Sequence, residues 1–132
     1  EDNSYDFILL WHVLEHIIDD NKAIKEMNRL LTQNGLILTS VPIYPNNNHK
    51  TYEDSNIKRS DYLKIHGHDD HCRSCGFDYY QRFENLGFST KTLIIKELEE
   101  NLIRNFGLSK NHRSWLFKKN TNVNNRNRCT SP

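Results

Sequence analysis

Apolar residues near the start of the chain are grouped in a way that predicts a strand, a helix and a second strand. The almost unbroken apolar run Tyr5–Trp11 is typical of a strand that is buried on both faces of a parallel sheet. Behind it, apolar residues recur at helical spacing over residues 23–31, and Asp19, Asp20 and Asn21 each offer a side-chain oxygen to the start of that helix. Gly35 is expected to end the helix in the left-handed conformation, and the apolar residues 36–41 predict the second strand. A right-handed crossover through the helix makes the two strands parallel.

The alternation of helices and strands continues after a long polar excursion at residues 43–70. Excursions of that length are often functional loops or lids. Beyond it, aromatic and aliphatic residues recur every three positions over residues 77–86, and Gly87 follows, which predicts a helix that ends there. The other predicted elements are a strand at residues 88–95, a helix at residues 97–106 with Leu98, Leu102 and Phe106 on one face, and a strand at residues 115–117. This order of elements predicts the α/β fold class.

The composition indicates one folded domain rather than a disordered or membrane-spanning chain. With 132 residues, the chain has the length of a single domain or of part of a larger one. Its mean hydropathy of −0.82 is low, but aromatic residues make up 11%, which is too many for a disordered protein. No apolar run approaches the roughly 18–20 residues that span a bilayer, and the N-terminus lacks the features of a signal peptide. Residues 1–119 are expected to fold, and the basic, Asn-rich residues 120–132 are expected to be disordered.

Charge and cysteine content argue against two further classes of protein. The chain has 18 Lys and Arg residues against 17 Asp and Glu residues, so no overall field attracts nucleic acid or an anionic membrane. Its 3 cysteines are an odd number, which disfavours a closed disulfide framework. We therefore predict a cytoplasmic protein that binds neither nucleic acid nor a membrane.

Four segments together resemble a known family of enzymes. They are EDNSYDFILLWHVLEHIIDD at residues 1–20, RLLTQNGLILTSVP at residues 29–42, DHCRSCGFDYYQRFENLGF at residues 70–88 and FGLS…WLFKK, which begins at Phe106 and ends near 118. In this order they are similar to the second half of class I S-adenosylmethionine-dependent methyltransferases. The similarity is narrower with the small-molecule methyltransferases that carry HVLEH after the fourth strand of their sheet.

The resemblance implies a Rossmann-like sheet, S-adenosyl-L-methionine as cofactor and methyl transfer to a small-molecule acceptor. It covers only the C-terminal half of that domain, so the first three strands and the glycine-rich loop of the family are absent from this chain. None of the 5 glycines forms a G-x-G behind a strand. The missing N-terminal half of the same domain is therefore the expected partner, and the chain alone is expected to be inactive. A remnant without enzymatic activity is the alternative.

The resemblance also implies where a site would lie. In the family, the position of Trp11 and His12 faces the cofactor, because ligands sit at the carboxyl ends of the strands. His12 is the best candidate for a catalytic residue, since an imidazole can accept a proton near neutral pH, but no catalytic residue is assigned. His71 and Arg73 match a segment near the mouth of the family's pocket and are the candidates for binding substrate. Arg73 has the alternative role of pairing with a neighbouring acid.

Two groups of residues raise the alternative of a metal-binding protein, although we predict no metal site. His12, Glu15 and His16 fit the zinc-peptidase motif H-x-x-E-H, which requires a helix. Methyltransferases with Glu-x-x-Glu-His at this point bind a divalent ion, and His12 stands where their first Glu is. Residues 66–75 are rich in histidine and contain Cys72 and Cys75 at a spacing that binds metals. These two cysteines lack a second pair nearby, and we predict that they form no persistent metal site.

Overall fold

The apolar runs of the sequence form one four-stranded sheet in the computed structural model, which describes residues 1–110 and 112–120. The strands are β1 Tyr5–Trp11, β2 Leu31–Ser40, β3 Phe88–Ile94 and β4 Arg113–Lys119. Their order in the sheet is β1-β2-β4-β3. β1 and β2 are parallel, as predicted, and β4 runs antiparallel to both of its neighbours. The α/β fold class is confirmed, and the predicted disordered tail lies almost entirely outside the described residues.

Four short helices connect the strands or follow them. They are α1 Asp20–Leu30, α2 Tyr62–His66, α3 Gln81–Glu84 and α4 Glu100–Asn105. The Asp19 carboxylate accepts a hydrogen bond from the Lys22 N–H at 2.9 Å and so caps α1, as its sequence position predicts. Among the described residues, no helix is both long enough and apolar enough to cross a membrane.

The predicted role of Gly35 is wrong. Helix α1 ends at Leu30, and Gly35 lies inside β2 without a positive φ. A side chain at this position would place its Cβ 2.7 Å from the fully buried Leu31 side chain, so glycine is needed here for close packing. The pairing of β1 with β2 shifts by several residues at this point, and the sequence carried no local signal for that shift.

The predictions for the helix before Gly87 and for the helix at residues 97–106 both need correction. Regular α-helix occupies only Gln81–Glu84 of the segment predicted from the aromatic spacing, but Gly87 does follow it with φ of 92°. In α4, Ile103 is the buried residue, whereas the predicted apolar face is exposed. The exposed fractions of that face are 41% for Leu98, 41% for Leu102 and 71% for Phe106.

The two faces of the sheet differ in how well they are covered. On one face, residues such as Ile37 and Phe117 are fully buried, and the Phe83 ring stacks on the Phe117 ring at 3.9 Å. On the opposite face, alternate residues of β1 remain about half exposed, namely Tyr5, Phe7, Leu9 and Trp11. The prediction that β1 is buried on both faces is therefore wrong for this chain, because β1 is an edge strand and only one of its faces meets the core.

Candidate functional site

A cavity lies where β1 and β2 end and β4 begins. Its volume is about 330 Å³ and its walls come from the three strand ends and from the loops that contain Asn46 and Phe77. His12 follows β1 directly, and its N–H donates a hydrogen bond to the Ser40 carbonyl at 3.0 Å. The φ of His12 is 54°, a left-handed conformation that is uncommon outside glycine. His12 therefore lies at the carboxyl end of the first strand, as predicted, and lines a cavity together with Val41 and Pro42, which follow β2.

Three aromatic rings stand together at this edge of the sheet. The half-exposed Trp11 ring lies 4.8 Å from the His112 ring, and the His12 ring lies 5.8 Å from His112. The His112 Nε2 atom is 2.8 Å from the Ser40 hydroxyl. Burial lowers the pKa of His112, and the nearby His12 lowers it further, so the neutral imidazole is favoured. The sequence pointed to Trp11 and His12, whereas no motif marked His112.

Arg113 completes the cavity from the start of β4. Its guanidinium lies 3.8 Å from the centre of the Phe77 ring, within the range of a cation–π interaction. No local pattern in the sequence marks this residue either, and it is far along the chain from His12. Only the antiparallel pairing of β4 with β2 brings the start of β4 beside the end of β2.

A second group of side chains lies around the turn after β1. Glu15, His16 and His71 have ligand atoms within 4.8 Å of one another, and so do His68, Asp70 and His71. The Glu15 carboxylate is fully buried, and neither of its oxygens has a hydrogen-bond partner among the described residues. The His16 Nε2 atom is 3.6 Å from a Glu15 oxygen, and its Nδ1 atom is 3.2 Å from an Asp70 oxygen. Burial raises the pKa of Glu15.

The H-x-x-E-H motif is split between these two places. His12 precedes a single turn of 3-10 helix, Leu14–His16, and lines the cavity, whereas Glu15 and His16 belong to the second group. A zinc peptidase needs this motif on a regular helix, so that both histidines reach one metal. That alternative is therefore incompatible with the geometry. His71 joins the second group and does not line the cavity of His12.

Arg73 is buried under the same turn, with 1% of its surface exposed. Its Nε atom donates to a Glu53 oxygen at 2.8 Å, and its Nη1 atom lies 3.6 Å from an Asp20 oxygen. The remaining bonds go to three backbone carbonyls after β1, those of Leu14, Ile17 and Ile18. These contacts favour the alternative in which Arg73 pairs with protein groups over the one in which it binds substrate.

The two cysteines of residues 66–75 have protein environments of their own. Cys75 is buried, and burial raises the pKa of its thiol. Cys72 is half-buried, and its Sγ atom donates to the Glu15 carbonyl at 3.2 Å. Neither belongs to the two groups of metal-capable side chains found among the described residues. The absence of a persistent metal site at Cys72 and Cys75 stays a prediction.

Most of the chain matches the sequence profile of one protein family. The sequence profile described as "Methyltransferase domain" matches residues 1–93, which is more than half of the chain. The chain belongs to the methyltransferase domain family. A search of curated protein sequences finds no significant match. The family predicted from the HVLEH motif and the three other segments, a methyltransferase domain, is thus confirmed.

Solved structures of methyltransferases have the same fold. An S-adenosylmethionine-dependent methyltransferase from Mesorhizobium loti superimposes with a TM-score of 0.60 at 8% identity, over 90% of this chain and 63% of that structure. A putative one from Listeria monocytogenes gives 0.57 at 16% identity, over 90% and 63% of the two chains. A third, from Archaeoglobus fulgidus, gives 0.57 at 14% identity, over 89% and 61%. The chain therefore spans less than two thirds of each structure and has the Rossmann-like fold of this family.

Proposed function

We propose that the chain is the C-terminal part of an S-adenosylmethionine-dependent methyltransferase that acts on a small-molecule acceptor. The observation that carries the proposal is the cavity at the carboxyl ends of β1 and β2, with His12 held in its wall. In open α/β sheets, ligands bind at this edge of the sheet. Membership of the methyltransferase domain family supports the reaction class.

The residues present fit one side of a cofactor site. Trp11 offers a half-exposed aromatic surface, and His12 offers ring nitrogens at the cavity wall. S-adenosylmethionine, when bound, supplies a methyl group made electrophilic by its sulfonium sulfur. The chain's own contribution is to hold an acceptor beside that methyl group, because much of a methyl transfer depends on proximity and orientation. His12 is the group we propose to accept the acceptor's proton on an imidazole nitrogen.

The exposed edge and face of β1 support an N-terminal half of the same domain as the partner. Among the described residues, no strand pairs with the outer edge of β1, and Phe7, Leu9 and Trp11 are each exposed by 50% or more. Large apolar residues exposed side by side on a sheet usually mark an interaction surface. Further strands paired with β1, with helices over this face, account for both features.

The remaining parts of the proposal concern the setting and the type of acceptor. Cys72 and Cys75 are free thiols, which supports a reducing compartment such as the cytoplasm. The cavity volume of about 330 Å³ supports a small-molecule acceptor rather than nucleic acid.

The test is to join the chain to the segment encoded in frame before Glu1 and to measure transfer of a labelled methyl group. We expect the joined protein to bind S-adenosylmethionine and to methylate a small acceptor, and we expect His12→Asn to lower the rate at least about tenfold with binding retained. Asparagine is the matched replacement because it tolerates the positive φ of this position. A stop codon or an unrelated sequence before Glu1 would instead support the non-enzymatic alternative.

A second candidate function, metal binding, is favoured by the unpartnered Glu15 carboxylate. Buried carboxylates without hydrogen bonds are costly, and a divalent cation beside Glu15 would remove that cost. His16 and His71 add imidazole nitrogens, and a set of two histidines and one carboxylate is typical of zinc-like ions. His12, the position that aligned with a metal ligand in the sequence motif, is not part of this set.

We expect Glu15→Gln to raise the free energy of unfolding of the metal-free chain at pH 7 by about 1–3 kcal/mol. Burial holds the folded-state pKa of Glu15 above its ordinary value of 4.5, so the folded carboxyl keeps its proton while the unfolded one loses it as pH rises. The stabilisation from a protonated Glu15 is therefore present at pH 4 and lost at pH 7, and the gain from the substitution appears only at the higher pH. Urea unfolding at both pH values measures it.

Zinc separates a metal site from a carboxyl that is merely buried. At pH 7 we expect Zn²⁺ to raise the unfolding midpoint of the unmodified chain and of the Glu97→Gln control, which changes an exposed glutamate. The Glu15→Gln variant should show no zinc effect. If zinc leaves the unmodified chain unchanged, this candidate function is excluded.

A further inference from the structure

The walls of the His12 cavity carry positive charge and no carboxylate. Besides apolar residues, its lining consists of Arg113, two histidines and two asparagines. An adjoining hollow of about 120 Å³ shares Arg113 and is also lined by Lys96 and by Lys110, whose ammonium pairs with the Glu100 carboxylate outside the lining. Both hollows are therefore suited to an anion rather than to a cation.

Arg113 is held in place without an ionic partner. Within residues 1–110 and 112–120, its guanidinium takes part in no ion pair and no side-chain hydrogen bond, and the Phe77 ring beneath it is its close contact. Arg73 and Arg82 differ, because both pair with Asp20 and Glu53. Stacking on an aromatic ring uses the flat face of a guanidinium and leaves its in-plane N–H donors available.

We propose that Arg113 binds the carboxylate or phosphate of the methyl acceptor, so that the acceptor is a small anionic molecule. This inference rests on the proposed function, because it names the class of acceptor for the same cavity. A planar guanidinium binds such groups through two parallel hydrogen bonds, which fixes orientation as well as position. His12 lines the same cavity, so an acceptor anchored by Arg113 presents its other end toward the imidazole.

Arg113, rather than His112, is the residue of this cavity that is suited to anchor an anion. Burial and the neighbouring His12 both lower the pKa of His112, and Ser40 occupies its Nε2 atom. The permanent charge facing the cavity is therefore the guanidinium. A volume of about 330 Å³ is at the small end of the range of about 300–1,000 Å³ for ligand sites.

The test uses the 132-residue chain and needs no cofactor. Two-dimensional NMR spectra of the ¹⁵N-labelled chain are recorded during titration with inorganic phosphate and with benzoate, at constant ionic strength. We expect saturable shifts for Phe77 and Arg113 with both anions, and at least tenfold weaker binding by Arg113→Gln. Lys118→Gln is the matched control, because it removes the same charge from an exposed position of the same strand and should leave binding unchanged.

A second variant keeps the test informative if Arg113→Gln folds poorly. Arg113→Lys retains the charge but not the planar donor pair, so it should keep part of the phosphate binding and lose more of the benzoate binding. Equal binding by all variants, or no saturable shift at these residues, overturns the proposal. Displacement of phosphate by S-adenosylmethionine also overturns it, because the anion site would then belong to the cofactor's own carboxylate.

The result that would contradict the proposed function differs from the result that would contradict the anionic class of acceptor. If the joined protein does not bind S-adenosylmethionine while phosphate still binds in an Arg113-dependent way, the methyltransferase proposal is lost and an anion site remains. If the joined protein methylates an uncharged acceptor and Arg113→Gln leaves KM unchanged, only the anionic class of acceptor is lost.

Discussion

The 132-residue chain on its own is expected to bind S-adenosylmethionine with a dissociation constant far above the micromolar range. Micromolar binding requires roughly 8 kcal/mol, whereas single hydrogen-bonding contacts contribute on the order of 1 kcal/mol each. Trp11 and His12 are the contacts that the chain offers, and its sequence has no G-x-G loop to hold the remainder of the cofactor. Calorimetric titration of the purified chain measures this constant. Micromolar binding by a monomer with a cooperative thermal transition would contradict the proposed division of the domain.

On heating, the same chain is expected to aggregate through β1. An edge strand with unpaired backbone groups and large apolar side chains is a template for pairing with another chain. Leu9→Lys should therefore reduce light scattering during a thermal melt, because it places a charge in the middle of that strand. Leu63→Lys is the matched control, since Leu63 is 62% exposed, as Leu9 is 59% exposed, but lies in α2 away from the sheet. Equal effects of the two substitutions would show that aggregation does not begin at β1.

Local signals explain which parts of the fold were predictable. The apolar runs, the Asp19 cap and the glycine at position 87 each act within a few residues, and each is found where the sequence placed it. The position of β4 between β2 and β3 depends on pairing between distant segments, so no local pattern encodes it. The burial of Ile103 in place of Leu102 has the same origin, because the packing partners of α4 are distant in sequence.

The residues of the candidate site also fall into those that the sequence predicts and those that it does not. His12 was predictable because the end of an apolar run marks the end of a strand, and ligands gather there. Arg113 and His112 reach the cavity only through the antiparallel pairing of β4, and their sequence surroundings resemble an ordinary basic segment. The sequence motif grouped His12 with Glu15 and His16, but the turn after β1 separates them and brings His71 to Glu15 instead.

Replacement of Arg73 is expected to lower the free energy of unfolding more than any substitution of an exposed arginine. Arg73→Ala removes one of the positive charges beside the buried Asp20 carboxylate. It also leaves three backbone carbonyls without the hydrogen-bond donors that Arg73 supplies. Removal of one partner from a buried ionic network costs about 3–5 kcal/mol. Total stabilities are typically about 5–15 kcal/mol, so this loss removes a large fraction of the stability of a typical domain. Urea unfolding measures the loss, and Arg104→Ala provides the exposed control.

The same variant decides between the two roles assigned to Arg73 from the sequence. Asp20 also accepts hydrogen bonds from the Tyr79 hydroxyl at 2.7 Å and from Arg82 at 2.8 Å, so part of the network survives the loss of Arg73. Arg73→Lys should keep the charge near Asp20 but lose most of the carbonyl contacts, which predicts an intermediate stability. A substrate-binding residue would give the opposite pattern, with normal unfolding and weakened anion binding. That result would show that Arg73 binds substrate and does not stabilise the turn after β1.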